Sequence, residues 1–349
     1  MRTAPLLHRP LGRLALAIAT LGAMAVAPAW AAGCLDRPPW RGVAPGVWVW
    51  PGQIADIATG NRAHVSSTVV LARIAGTAPP SVTVVDPGPH QGHGHAVLQA
   101  IRCQWPRFTL QVINTHAHAE NVLANGALLS APATVPATAG PTTATVIAAT
   151  AITTQQMQRR CPDCLQSLTR EVGDTVMAGT RISLPNRQIS DGDQLMLTDR
   201  PWQVLELRDA HTLSDLALWE PERRTLIAGG LVYPRRLPEL AQGSLAGWVS
   251  ALDRLARLNP ATVVGVAPGD AQNLGQTRRY LCDLSDTVWQ AMDAGRTAGE
   301  AHTLALPAYA SWAGYTQRQP FNAQRAWREL EVRWMSGKPR PCSTPDVAR

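Results

Sequence analysis

Short apolar runs rich in Val, Ile and Thr fall into two groups along this chain, each run bounded by Pro or Gly. The first group is GVWVW (46–50), SSTVVLARIA (66–75), SVTVVD (81–86) and TLQVINTH (109–116). β-Branched residues in runs of this length, punctuated by turn formers, predict strands. HGHAVLQAIRCQW (93–105) has helical spacing and lies between two of them. The second group is WQVLELRDAH (202–211), DLALWEP (215–221) and RTLIAGGLVY (224–233). Between the groups, ATAITTQQMQRRCPDCLQSLTREVG (149–173) has helical spacing in its first half and a Gly stop. From Gly243 the pattern is mostly helical, broken by one more strand in ATVVGVAPGD (261–270). The last helices, about 276–294 and 321–335, put Trp289, Trp327 and Trp334 at apolar positions, where a core role is expected. Strands in two runs with helices between and after them predict a layered α/β arrangement. LSAPATVPATAGPTTATV (129–146) is rich in Ala, Thr and Pro and reads as a surface loop.

The N-terminus changes the picture of where the chain works. Arg2, Arg9 and Arg13 precede an apolar run from Leu14 to Val26 and small residues ending Ala29-Trp30-Ala31. That order reads as a signal peptide, residues 1–31, cut after Ala31 and implying a periplasmic or secreted protein. The alternative is a lipoprotein signal cut before Cys34. The apolar run is too short for a good membrane span, and no later stretch reaches the roughly 18 apolar residues that one needs. Residues 32–349 are expected to form one domain, helical over about 270–335.

Charge then narrows the partners. The chain has 32 Lys+Arg against 25 Asp+Glu, and the excess falls from +7 to +4 once the three signal arginines are set aside. No basic cluster remains to follow a phosphate backbone, so no nucleic-acid partner is expected. Six cysteines, at 34, 103, 161, 164, 282 and 342, could pair in an exported chain. Cys161 and Cys164 form a C-x-x-C whose expected role is structural pairing, with redox or metal work, or free thiols, as the alternatives.

The candidate chemistry lies in the histidines. INTHAHAENVLAN (113–125) puts His116 and His118 two apart at a strand end. Alternate residues of an extended chain face the same way, so two imidazoles at this spacing can share one ion. A catalytic zinc takes three protein ligands, and DAHTLSDLALW supplies His211 at another strand end. Asp215, four residues on, reads either as an aspartate orienting an imidazole from outside the ligand set or as a loop cap. His90, His93 and His95 in DPGPHQGHGHAV could hold zinc or copper, or form a flexible Gly-rich loop with no ligand geometry. His64 and His302 are isolated and read as surface or satisfied core residues.

Taken in order, THAHAEN (115–121), AHTLSDL (210–216), AGGLVY (228–233) and APGD (267–270), with TVVDPGP (83–89) upstream, resemble the motifs of the metallo-β-lactamase superfamily. The resemblance spans roughly 46–335. Its nearest branch is that of exported quinoprotein relay system zinc metallohydrolases, on the features RCPDCLQSL, LVYPRRLPEL…LAGWVSALDRL and FNAQRAWRELEVRW. It implies a four-layer αββα sandwich with a C-terminal helical extension, and a role beside periplasmic quinoprotein dehydrogenases. It assigns His116, His118 and His211 to a first zinc site, and the turn at Asp86 to holding the histidine loop.

The implied second site departs from the family pattern. Glu120 stands where Asp is usual, Asn121 where a histidine ligand is, Gly230 where a bridging Asp is, and Asp270 where the last histidine is. One zinc is therefore expected, activating water, with Glu120 or Asp270 as base or weak ligand. The expected substrate is a small ester, thioester or lactone-like molecule. A catalytically impaired binding or accessory protein on the same scaffold is the alternative, and a thiol–disulfide protein using Cys161 and Cys164 a third. The mapping also predicts that Asn121→His, Gly230→Asp and Asp270→His together raise metal occupancy.

Overall fold

The computed structural model describes residues 1, 34, 39–74, 76, 80–129 and 145–342. The expected signal peptide and nearly all of the 129–146 loop lie outside the described residues.

Among the described residues, seven strands form the first sheet: β1 (Arg41–Ala44), β2 (Val47–Trp50), β3 (Thr68–Arg73), β4 (Ser81–Val85), β5 (Thr109–Ile113), β6 (Val146–Ala149) and β7 (Arg187–Gln188). They lie side by side in chain order, antiparallel as far as β4 and parallel from β4 to β7. The second sheet has six: β8 (Gln194–Met196), β9 (Pro201–Arg208), β10 (Ser214–Glu220), β11 (Thr225–Ile227), β12 (Thr262–Val264) and β13 (Pro268–Gly269). Its spatial order is β13-β12-β11-β10-β9-β8.

Eight α-helices accompany the sheets among the described residues: α1 (Gln91–Gln104), α2 (Ala119–Val122), α3 (Asn125–Leu129), α4 (Ala151–Val172), α5 (Asp174–Met177), α6 (Leu245–Ala256), α7 (Ala271–Asp293) and α8 (Tyr315–Met335). Period-two alternation sorts the strand residues into layers. Val47, Val49, Val69 and Leu71 of the first sheet meet Trp202, Val204, Leu216 and Leu218 of the second in one buried cluster. The opposite face of the first sheet, with Val70, Val82 and Val84, packs on Val97, Leu98 and Ile101 of α1. The opposite face of the second sheet, with Leu205, Leu207, Ala217 and Trp219, packs on α6, α7 and α8. The order helix–sheet–sheet–helix is the expected αββα sandwich, with α7 and α8 as its C-terminal helices.

Some sequence readings need correction. The helix of the 149–173 segment does not end half-way but runs from Ala151 to Val172, with Pro162 inside it. Pro removes one backbone donor, but Thr153, Met157, Cys161, Leu168 and Val172 keep a continuous buried face that offsets the loss. Trp327 is buried in the core and Trp289 packs against it, whereas Trp334 lies on the surface with Nε1 donating to Asp293 Oδ1 at 2.7 Å. Cys161 and Cys164 are unpaired thiols on α4, and the two disulfides are Cys34–Cys103 and Cys282–Cys342. Cys34, the residue of the alternative lipoprotein cleavage site, is the partner of Cys103. No helix among the described residues is long and apolar enough to cross a membrane.

Candidate metal centre

The loop after β5 is held before its histidines begin. Asp86, just past β4, has a left-handed backbone (φ 51°). Its carboxylate accepts from Thr115 N at 2.8 Å, Thr115 Oγ1 at 2.5 Å and Asn121 Nδ2 at 3.1 Å. Burial pushes the Asp86 pKa up to about 7, and these donors pull against it. Asn114 and Asn125 exchange side-chain hydrogen bonds at 3.0 and 2.8 Å, which fixes the far side of the loop. Leu216 N of β10 donates to Thr115 O at 2.8 Å, stitching the second sheet to the histidine loop of the first.

His211 occupies the turn between β9 and β10. Asp215 holds that turn by accepting from Thr212 N at 2.7 Å and Thr212 Oγ1 at 3.1 Å. Ser244, the N-cap of α6, donates its backbone N–H to Ala210 O at 3.1 Å. The approach is close enough that a Cβ on Gly243 would fall 1.7 Å from Ala210 O, so only glycine fits there. α6 then sets the Trp248 ring 4.7 Å from the His211 ring.

His116, His118 and His211 converge. Each offers one ligand atom, and these atoms all lie within 4.8 Å of one another. The other nitrogen of each ring is occupied: His116 Nδ1 by Thr115 Oγ1 at 2.8 Å, His118 Nε2 by the Gln242 amide at 2.9 Å, and His211 Nε2 by Tyr233 OH at 3.3 Å. His116 Nε2 and His211 Nδ1 are buried and have no hydrogen-bond partner. Two orphaned imidazole nitrogens beside a third histidine form a donor set that a cation satisfies, so the residues fit a zinc ion. Burial is the main cause holding His116 and His211 well below the ordinary histidine pKa, with neighbouring His118 adding to it. Both rings are therefore neutral at pH 7, as a metal ligand must be.

The remaining predicted residues divide. Glu120 Oε1 lies 3.9 Å from His118 Nδ1, and both side chains are 14% exposed, which makes this the open side of the centre. Asp270 lies on the surface as the N-cap of α7, accepting from Gln272 N at 2.8 Å. Asn121 is buried and donates to Ser66 Oγ at 3.0 Å as well as to Asp86. Asp215 lies 3.6 Å from His211 Nδ1, outside hydrogen-bond range, so its direct bonds are those of the turn. Gly230 faces the histidines: a Cβ there would sit 2.6 Å from His116 Nε2 and 2.7 Å from His211 Nδ1. The Gly230→Asp part of the restoration expected from sequence therefore needs the ligand rings to move.

The second histidine group is not a loop and does not converge on an ion. His90 caps α1 by accepting from His93 N at 3.1 Å, His93 is bonded to Thr68 Oγ1 at 3.1 Å, and His95 faces solvent. His64 is not isolated but lies against His93, with ring centroids 4.2 Å apart and planes 41° apart. His302 is exposed, as expected, with Nδ1 on Gly299 O at 2.8 Å.

Sequence reasoning missed Thr115, Tyr233 and Gln242, which orient the three imidazoles. Thr115 and Tyr233 lie inside quoted motifs, but nothing in their spacing marks them. Gln242 carries no signal at all, since only folding brings it beside His118.

The sequence pattern of the metallo-beta-lactamase superfamily matches residues 65–267, which contain all three histidines. The chain belongs to that superfamily. Among solved structures, this superfamily member is similar to a beta-lactamase domain protein from Burkholderia ambifaria, at 17% identity and TM-score 0.59, over 88% of this chain and 92% of that one. It is also similar to a metallo-beta-lactamase from Pontibacter korlensis, at 15% identity and TM-score 0.50, over 69% of this chain and 97% of that one. At these identities the likeness carries the fold alone. No curated protein matches this member of the superfamily.

Proposed function

We propose that this protein is an exported metallohydrolase with one three-histidine zinc site, accessory to a quinoprotein dehydrogenase system. The observation that carries the reading is the pair of buried, unpartnered nitrogens, His116 Nε2 and His211 Nδ1, beside His118. A bound zinc acts there as a Lewis acid that makes water nucleophilic near neutral pH. Thr115, Gln242 and Tyr233 fix the three rings, so ligand geometry is set before any ion arrives. Glu120, on the open side, takes the proton of the attacking water at its carboxylate and returns it to the leaving oxygen or sulfur. Asp270 has no part in this scheme, because its carboxylate caps α7.

The second metal site of the superfamily is degenerate in this reading. Asn121 is committed to Ser66 and Asp86, and Gly230 offers no ligand. Two disulfides support an oxidising compartment. The motif resemblance alone supports the quinoprotein connection. A panel of small esters, thioesters and lactones tests the activity. Zinc-dependent hydrolysis that falls about 100-fold or more in Glu120→Gln is expected, from the usual worth of a general base. Hydrolysis unchanged by Glu120→Gln, or none by the zinc-loaded wild type, contradicts it.

The same two positions favour a second reading, a binding protein on a hydrolase scaffold. That reading predicts high-affinity capture of a quinoprotein component with no turnover of any ester in the panel.

A further inference from the structure

We propose that Glu329, on α8, is a positioning residue for the metal centre, setting the imidazoles of His118 and His211 through the segment 242–246. The hydrolytic scheme takes no group from α8, yet one side of this helix is bonded to that segment and to the residues leading into it. Asn322, Arg325 and Glu329 follow one another at helical spacing, so their side chains leave α8 on the same side. Asn322 is buried, accepts from Leu240 N at 3.0 Å and donates to Pro238 O at 2.7 Å. Arg325 Nε donates to Leu240 O at 3.0 Å. Glu329 Oε1 accepts from Ser244 Oγ and from Ala246 N, each at 3.0 Å, and its Oε2 accepts from Leu245 N at 2.7 Å.

The first N–H groups of a helix have no partner inside it. In α6 those of Leu245 and Ala246 go to Glu329, and that of Gly247 goes to Ser244 Oγ at 2.9 Å. The Ser244 cap alone would secure α6 as a helix wherever it lay. A carboxylate from another helix also fixes where α6 begins, and its charge suits the positive end of the helix dipole.

Where α6 begins decides where two ligand rings point. Gln242, two residues before the cap, meets His118 Nε2 with its amide at 2.9 Å. Ser244 N donates to Ala210 O at 3.1 Å, and Ala210 immediately precedes His211. The fit leaves no slack, since a Cβ on Gly247 would run into Asp209 O, as one on Gly243 would into Ala210 O. His118 follows β5 of the first sheet, and His211 lies between β9 and β10 of the second. One short segment therefore reaches a ligand from each sheet, and Glu329 anchors it. His116 is held separately, by Thr115. The inference rests on the three-histidine zinc site and not on hydrolysis.

The test compares Glu329→Gln in the full chain with Glu331→Gln, a control on the same helix whose carboxylate bonds to Trp327 Nε1 at 3.4 Å instead. Glu329→Gln keeps the size, removes the charge and turns an NH2 towards donors of α6. Histidines labelled with nitrogen-15 report the ring nitrogens of metal-free protein, and competition against a zinc chelator reports affinity. In Glu329→Gln the ring resonances of His118 and His211 should move while those of His90 and His95, on α1 and its cap, stay in place. Zinc affinity should fall by about 10-fold, the lower end of what lost support around metal ligands costs. Glu331→Gln should match wild type in both. Should Glu329→Gln not fold, Ser244→Ala removes one of the three bonds and is read in the same way. Wild-type zinc affinity in the variant overturns the proposal, as do His118 and His211 resonances that stay in place. A lower unfolding midpoint with both unchanged would reduce Glu329 to a cap of α6. Wild-type protein that takes up no zinc would remove the metal reading, whereas ring resonances that still move in Glu329→Gln would leave the positioning role standing.

Discussion

His116 Nε2 and His211 Nδ1 belong to histidines at strand ends of different sheets, yet both are buried in one place and neither has a hydrogen-bond partner. The sandwich brings them together through one backbone link, Leu216 N to Thr115 O at 2.8 Å. The metal centre is thus a property of sheet-on-sheet packing.

That pairing places a demand on Gly230. Because its Cβ would lie 2.6–2.7 Å from both nitrogens, Gly230→Ala should reduce zinc affinity by about 10–100-fold, as other disturbances around metal ligands do. Competitive titration against a zinc chelator measures this, and wild-type affinity in the variant would show that the rings give way. By the same steric argument, Gly230→Asp should lower occupancy.

Asp86 holds the histidine loop from below. Asp86→Asn keeps the size and tolerates the left-handed backbone, but one acceptor oxygen becomes an NH2 facing donors from Thr115 or Asn121. The loss should be about 1–3 kcal/mol of stability, from a buried polar group left unsatisfied. Urea unfolding of the metal-free protein checks it, and a midpoint equal to wild type would contradict it.

A second cluster sets a pH dependence. His64, His90 and His93 face one another with Arg62 nearby, and Trp50 and Thr68 close the group. Burial is the main cause that lowers His64 and His90 to about 4 and His93 well below 6.5. Folded-state pKa values below the unfolded ones mean that the unfolded chain binds more protons in this window. The contribution of this cluster to stability should therefore be level above about pH 6.5 and fall from there towards pH 4, against the opposite contribution of Asp86 and Asp215, whose carboxyls burial raises to about 7. Thermal melts of metal-free protein across that range should show this contribution as a difference in slope between wild type and His64→Gln. A slope identical in the variant would remove His64 from the account.

The thiols of α4 should be inert. Burial pushes the Cys161 pKa up to about 12 and raises that of Cys164, so little thiolate exists at neutral pH. A colorimetric thiol titration should find two reactive groups per chain in denaturant and slow or absent reaction in the native state. Rapid native reaction at Cys164 would revive the redox reading.

The ligand trio was legible because each histidine follows or ends a β-branched strand, and strand ends in layered α/β folds are where side chains from distant segments meet. The sheets were legible for the same reason, as Val47 and Val49 alternate with Trp48 and Trp50. β6 was hidden because its four residues, Val146–Ala149, adjoin a Pro/Thr-rich stretch and contain only two β-branched side chains. Pro162 masked the second half of α4, whose helix is secured by packing against Ala117, Ala119 and Val122 near the histidine loop. Gln242 and Tyr233 had no local signature, since what they do depends on partners far away in sequence. The pairing of Cys34 with Cys103, and of Cys282 with Cys342, was likewise set by tertiary proximity.

Zinc content of the purified protein tests the central claim most directly. About one zinc per chain is expected from three histidine ligands, falling to near zero in His211→Ala. Close to two zinc ions per wild-type chain, or full occupancy retained in His211→Ala, would contradict it.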